Sequence, residues 1–420
     1  MMTEMPERDM QKGTSWIRQK IAMEVISPVH IGTREGKISA LEFIFHEGKV
    51  HLVDEEKLGR FLKQRNLIDP FVQEAGKGPM VMERFLRNTA RIEPSAVLSQ
   101  IISQSTLGGE PAMQDFRPFI RDAFGQIFLP GTSLKGVFRT ALLYRMVKND
   151  PGLNKEVTAK AESGLQGLSE WKKKRYSESW LQKDLLQNYS LPLSNARKGP
   201  NTDILRCLGV RDAYPSTLPK TRIVPIRFLS RKASGEFYWS QKKGYHPGAG
   251  GDLGVWIEAV IEGKFSMEIG WDQALFEKFK NANSKGLPVS GIEDLLSAVN
   301  EMNKDLCGHE KEFFKKKTKL PPGTTVRDLL RVSGPSLSDA ESAAGMLSSW
   351  YGRNDGNLFR LGFGSGMLST TVNLALPAEL RGKIRDACGL RRPGDPAPKS
   401  RRVWRKSEGL VLPMGWMKMI

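Results

Sequence analysis

The stretch FLPGTSLKGVFRTALL, Phe128 to Leu143, sets a lysine at the start of a helix. Pro130-Gly131 reads as a turn, and Thr132 and Ser133 are good N-cap residues. The spacing predicts a helix over about Ser133–Val147. Leu134, Val137, Phe138, Ala141 and Leu142 recur at i, i+3, i+4, i+7 and i+8 and make one apolar face. Lys135 and Arg139 are four apart and stand together off that face. A cation in the first turn opposes the helix dipole, at roughly a few tenths of a kcal/mol. The free backbone N–H groups at the same end attract anions. Two readings follow: Lys135 is solvated, or Lys135 and Arg139 line a phosphate track. The Walker spacing is absent, because Gly136 follows Lys135.

Other residues carry the same kind of chemistry. Gly362, Gly364, Ser365 and Gly366 belong to GFGSG, where glycines let backbone amides approach a ligand. It lacks the G-x-G-x-x-G spacing, and no dinucleotide site is expected. Residues 219–246 mix Lys220, Arg222, Arg227, Arg231, Lys232, Lys242 and Lys243 with Phe228, Phe237, Tyr238, Trp239 and Tyr245. Cations track a phosphate backbone and aromatic rings stack on bases. The plainer reading is an exposed β-arm with core aromatics at its root. Among the histidines, His30 sits in the loop after the first strand, the best position for a general acid or base, but no second catalytic group pairs with it. Cys307-Gly308-His309 supplies too few ligands for structural zinc, which takes about four. Neither a metal nor another cofactor is expected.

The elements that hold these residues come from a chain of 420 residues with 64 Lys+Arg against 46 Asp+Glu, net +18. That surplus points to a polyanionic partner, most simply nucleic acid. Nine tryptophans and a 39% hydrophobic fraction make the chain globular. The three cysteines, Cys207, Cys307 and Cys388, form no close pair, which argues for a reducing compartment. The N-terminus MMTEMPERDM has no apolar h-region, and no run nears the ~18 apolar residues of a membrane span. A cytoplasmic location is expected.

Along the chain, Ile17–Ile26 reads as a strand, and ALEFIFHEGKVHLVD as a hairpin turning at Glu47-Gly48. Residues 55–102 are mostly helical. Residues 149–202 form a charged helical insertion. GVWIEAVIEGKFSMEIGWD reads as a strand pair, and helices follow near Gln273–Asn281 and Ile292–Leu306. A lysine-rich second insertion precedes RLGFGSGMLSTTV, and GLVLPMGW reads as a last strand.

Five landmarks in this order resemble the RAMP superfamily of CRISPR–Cas proteins: PVHIG, LPGTSLKGVFRTAL, LRCLGVRDA, IEAVIEGKFSMEIGWD and RLGFGSGMLSTTV. Within it, the ISALEFIF stretch and the PKSRRV and GLVLPMGW segments resemble the fifth-subunit family of type III-A Csm effector complexes. The resemblance implies an α+β fold: an RRM- or ferredoxin-like RAMP core, helical insertions, an extended β-hairpin thumb and a C-terminal part with a Gly-rich loop. The segments expected are 1–148 and 203–302 for the core, with the thumb at 215–250, 149–202 for the insertion, and 303–420 for the C-terminal part.

The implied function is that of a non-catalytic subunit that caps the 3′ end of the CRISPR RNA. Its implied RNA contacts are His30, Lys135, Arg139, Arg222, Arg227, Arg231, Gly362, Gly364, Ser365, Gly366, Arg401 and Arg402. The implied partners are guide and target RNA, neighbouring Csm-type RAMP subunits, and host nucleases that trim the guide. The aspartate that RNA-cutting backbone subunits carry after the first strand is absent between Thr33 and Leu41. A metal-independent repeat endoribonuclease using His30 or His46 is the alternative.

Overall fold

The computed structural model describes residues 15–33, 36–78, 81–110, 113–166, 179–191, 199–240, 254–315, 339–353, 358–388, 394–407 and 410–420. The strand Trp16–Val25 alternates as the sequence requires: Ile21, Met23 and Val25 are buried while Lys20 and Ala22 are exposed. It pairs antiparallel with Lys264–Asp272, setting Met23 opposite Phe265 and Ile21 opposite Met267. The first sheet runs Leu358–Arg360, Trp416–Met419, Trp16–Val25, Lys264–Asp272, Leu208–Val210, with Tyr214–Pro215 also on the Lys264–Asp272 strand. The central helix Gly131–Asn149 presses Leu134, Phe138, Ala141 and Leu142 against the Ile21, Met23, Phe265 and Met267 face. A long helix, Ile292–Phe314, packs beside it, tied by Arg145 to Asp294 at 2.7 Å and by Tyr144, whose hydroxyl donates to Asp305 at 2.7 Å.

The second sheet runs Phe237–Trp239, Lys220–Arg231, Ser400–Ser407, Leu410–Pro413, with Gly254–Glu262 also on Lys220–Arg231. Val224 and Ile226 face one way, into a cluster with Ile257, Ala259, Trp404 and Met414. Leu229 faces the other way, onto Phe313, Phe314, Leu347 and Trp350 of the helices behind. A third layer is built on the hairpin Phe43–His46 and Lys49–Val53, extended by Ile102–Leu107. Its turn falls at Glu47 and Gly48, both at positive φ, 48° and 70°, as a two-residue hairpin loop demands. Helix Pro151–Gln166 of the charged insertion buries Val157, Ala161 and Leu165 in the main core.

Two expectations change. The segments Gly254–Glu262 and Lys264–Asp272 do not pair with each other; Gly263 hands the chain from the second sheet to the first. Alternation reveals which face of a strand is buried but not which strand lies beside it. The basic segment is not a free arm: Lys220–Arg231 is an inner strand, with partners on both edges. Lys242, Lys243 and Tyr245 lie outside the described residues. The strands after residue 357 join both sheets.

Two expected RNA contacts are structural. Arg401 is 5% exposed and its Nε donates to both carboxylate oxygens of Glu310, at 2.6 and 2.8 Å, with its guanidinium 3.8 Å from the Phe313 ring centroid. Arg231, 9% exposed, donates to the Phe313 carbonyl at 2.5 Å. Both point into the helix layer behind the sheet, where alternation hides them. Burial by itself raises the Glu310 pKa, but the Arg401 charge, with His309 and Arg360, overrides it and brings the value to about 2. Glu310→Gln leaves Arg401 buried and unpaired and is expected to cost about 3–5 kcal/mol near neutral pH. The folded-state pKa is depressed, so this contribution is complete above the unfolded value of roughly 4.3 and fades as pH falls toward 2. Urea unfolding of wild type and variant should therefore give curves that differ most above about pH 5 and converge toward pH 2.

Candidate nucleic-acid interface

The central helix starts earlier than its capping residues suggest. It begins at Gly131, after Pro130, and no side chain of Thr132 or Ser133 caps it. Instead the Gly131 N–H donates to Asp212 Oδ1 at 2.6 Å. The close approach needs glycine, because a Cβ there would lie 2.4 Å from the Val210 carbonyl oxygen. The anion at the positive end of the helix is thus the protein's own carboxylate, from the LRCLGVRDA landmark. Lys135 is held as well: its Nζ donates to the Leu208 carbonyl at 2.6 Å. Burial, then the charge of Arg139, lowers its pKa. Arg139 donates to Asp203 Oδ2 at 2.8 Å. The question of solvent or phosphate has a third answer here: both cations tie the helix to the chain that follows it.

The other landmarks meet where the two sheets join. His30 is 1% exposed; its Nδ1–H donates to the Glu258 carbonyl at 2.7 Å. Burial is the main cause that lowers its pKa to about 4, which keeps the ring neutral. The ring sits edge-on to Phe119 and Phe363, with centroids at 6.0 and 5.9 Å. As an RNA contact through its side chain, His30 is therefore corrected: the loop is turned inward.

Its carbonyl accepts the Phe363 N–H at 2.7 Å. Gly362 makes this possible: φ is 75°, and a Cβ would fall 2.2 Å from the His30 oxygen. Gly364, at φ 93°, also passes close to its neighbour: a Cβ there would lie 2.8 Å from the Met414 Cβ. Ser365 is buried and its hydroxyl donates to the Gly362 carbonyl at 2.7 Å. Gly366 opens the short helix Gly366–Thr370. The glycines of GFGSG serve first to fit the loop against the protein itself.

Arg402 behaves differently from its neighbour Arg401. It lies directly opposite Phe228 in the strand register, so both stand on the same face. Its guanidinium is 5.4 Å from the Phe228 ring centroid and 5.1 Å from that of Phe363. Arg117 approaches the same Phe363 ring at 6.0 Å. Burial lowers the Arg402 pKa, and the charges of Arg360 and Arg117 push it the same way. The Arg402 Nε is buried without a hydrogen-bond partner. Among the described residues, neither Arg402 nor Arg117 has a carboxylate within ion-pair distance. Arg360 is buried and donates to the Met414 carbonyl at 3.1 Å.

Arg222 is exposed, on the same face as Phe228 and Arg402, while Arg227 is half-buried on the opposite face, its guanidinium lying over Gly254. Sequence reading missed Arg117 and Phe363. The Phe363 signal was present, as the residue between two motif glycines; Arg117 stands in no pattern. Among the described residues no group of three or more His, Cys, Asp or Glu is arranged to hold a metal. No helix among them is long and apolar enough to cross a membrane.

Comparison with known proteins places these features in a family. The RAMP superfamily profile matches residues 22–334. The protein named CRISPR system Cms protein Csm5 from Streptococcus thermophilus is 29% identical over 134 residues, 30% of this chain and 37% of that protein. Its namesake from Enterococcus italicus is 27% identical over 148 residues, 29% of this chain and 42% of that one. The aligned stretch thus spans about two-fifths of these curated relatives. In three dimensions the chain resembles a subunit of a type III-A Csm–crRNA–target RNA ternary complex, with TM-score 0.62, 20% identity, and 96% of this chain and 100% of that one covered. It also resembles the crystal structure of T. onnurineus Csm5, with TM-score 0.57, 20% identity, and 94% and 99% covered. The α+β architecture is that of these proteins. With three quarters of its length matched by the profile, the chain belongs to the RAMP superfamily.

Proposed function

We propose that this protein is a non-catalytic RNA-binding subunit of a type III-A Csm effector complex, seated where the complex holds the 3′ part of the CRISPR RNA. One observation carries the reading. The PVHIG loop and the Gly-rich loop converge on a surface where two arginines, Arg117 and Arg402, stand without carboxylate partners. An uncompensated pair of guanidiniums beside a glycine loop fits a polyanion. The net charge of +18 agrees, and so does the similarity to Csm5 proteins. In this reading Arg222 and the amides of the Gly-rich loop add backbone contacts. Lys135 and Arg139 contribute mainly by fixing the helix on which the junction rests. The partners are guide and target RNA and a neighbouring Csm-type RAMP subunit. Host nucleases that trim the guide are drawn in by the assembled end.

The repeat-endoribonuclease alternative draws on His30 or His46. His30 is buried and neutral. His46 lies on the hairpin of the third layer, near Glu47 and His51. Neither joins the glycine-loop surface as an exposed acid or base.

Two measurements test the reading. Co-expression with the other Csm subunits and a guide should yield a complex that contains this chain and a guide of defined 3′ end. The purified chain should bind single-stranded RNA with an affinity that falls steeply with salt and should leave repeat RNA intact in EDTA. Specific cleavage that disappears with His30→Ala would sink the non-catalytic reading. The pH dependence gives an independent check on His30. Its folded pKa near 4 lies below the unfolded value of 6.5, so the unfolded chain binds the extra proton between them. Stability should fall by about 3 kcal/mol as pH drops from 6.5 to 4, and His30→Gln should flatten that decline in urea melts.

A further inference from the structure

We propose that Arg117 and Arg402 form a clamp for one RNA phosphodiester, set over Phe363 beside Gly364. The inference rests on the RNA-binding reading. It adds which chemical group is held and which side chains hold it.

Three features converge on a phosphate. The first is an unmet donor. Arg402 Nε is buried and lacks a partner, and leaving a buried charged donor unsatisfied costs more than leaving a neutral one. The second is repulsion. Arg117, Arg360 and Arg402 act on one another without a carboxylate to offset Arg402. Arg401, the next residue, shows what the fold does when it needs an arginine for stability: it supplies Glu310. Among the described residues, no carboxylate lies within ion-pair distance of Arg402 on the other face.

The third feature is geometry. The Arg402 guanidinium lies over the Phe228 and Phe363 rings, 5.4 and 5.1 Å from their centroids, while the exposed Arg117 stands 6.0 Å from the Phe363 ring. Both rings flank the guanidinium, whose N–H donors form a planar fork that suits a phosphate oxygen pair. Gly364 lets the loop lie close beneath, since a Cβ there would come 2.8 Å from the Met414 Cβ. A phosphate contact carries no base information, so the clamp sets the path of the strand and is indifferent to sequence.

The test uses the full chain, two single-stranded RNAs of equal length and unrelated sequence, a salt series, and thermal melts of every variant. Arg402→Met keeps the aliphatic stem and removes the charge. It should weaken both RNAs about tenfold or more and lower the salt slope by roughly one ion. Its melting temperature should stay the same or rise, because a repelled charge has gone. Arg402→Lys should restore the slope but not the affinity, because a point charge replaces a fork. Arg117→Met and Arg402→Met combined should cost less than the product of the single losses, since both hold one group.

Unchanged binding by Arg402→Met overturns the clamp. So do fully additive losses, a loss confined to one RNA, full rescue by lysine, or a melting drop like that of Glu310→Gln. Wild-type protein that binds neither RNA overturns the RNA-binding reading itself, and the clamp with it.

Discussion

The His30 loop and the glycine loop are joined by a hydrogen bond from the Phe363 N–H to the His30 carbonyl. His30 lies in the loop that leaves the first strand, and Phe363 in the loop that leaves Leu358–Arg360, both strands of the first sheet. The bond draws the two loops together on the same end of that sheet. It forms only because Gly362 has no side chain and tolerates a φ of 75°. The His30 ring then reaches across to the Glu258 carbonyl in the second sheet. One residue thus contacts the glycine loop through its backbone and the second sheet through its imidazole. Protonating that ring would place a cation in an apolar pocket between Phe119 and Phe363, which is why its pKa is low. The position of Phe363, and so of the arginines around it, follows from this contact.

The same strand that carries Arg402 shows how a fold separates structure from surface chemistry. Arg401 and Arg402 are consecutive and point to opposite faces of Ser400–Ser407. Arg401 meets Glu310 and the Phe313 ring and has become part of the core. Arg402 meets two rings and two like charges. Their composition is identical and their roles differ because of what stands behind each face. The sequence RR carries no sign of the difference. It appears only when Glu310, 91 residues earlier, is brought under one of them.

That contrast explains what could be read from the residues. Local patterns were legible: the alternation of Trp16–Val25, the hairpin turn at Glu47-Gly48, and the apolar face of Gly131–Asn149 each follow from spacing that the chain enforces on itself. Partner choice was not. Gly254–Glu262 and Lys264–Asp272 are adjacent, alternate correctly, and still belong to different sheets. The cap of the central helix was misread for the same reason. Thr132 and Ser133 are suitable by type, yet Asp212 arrives from the loop after the strand Leu208–Val210 and takes the position. For the site, the family landmarks pointed to loops that the fold does bring together, those of His30 and Phe363, and to Arg402 beside them. They also pointed to His30, Arg231 and Arg401, which burial removes from the surface.

Net charge says that an anion is expected somewhere; it does not say where. Lys135, the cation that opposes the helix dipole, is a case in point. A cation in a first turn looks misplaced only if the helix end is otherwise bare. Here Asp212 supplies the negative charge, and Lys135 turns away to the Leu208 carbonyl, partly shielded from water. Each charge at that end has an internal partner, so the end has little left to offer a ligand. The glycine-loop surface is the reverse, with arginines whose partners the fold withholds. An unsatisfied arrangement of this kind lowers stability in the free protein, and it persists where binding supplies the missing charge. What separates the two places is not the presence of a cation but, among the described residues, the lack of a carboxylate beside it.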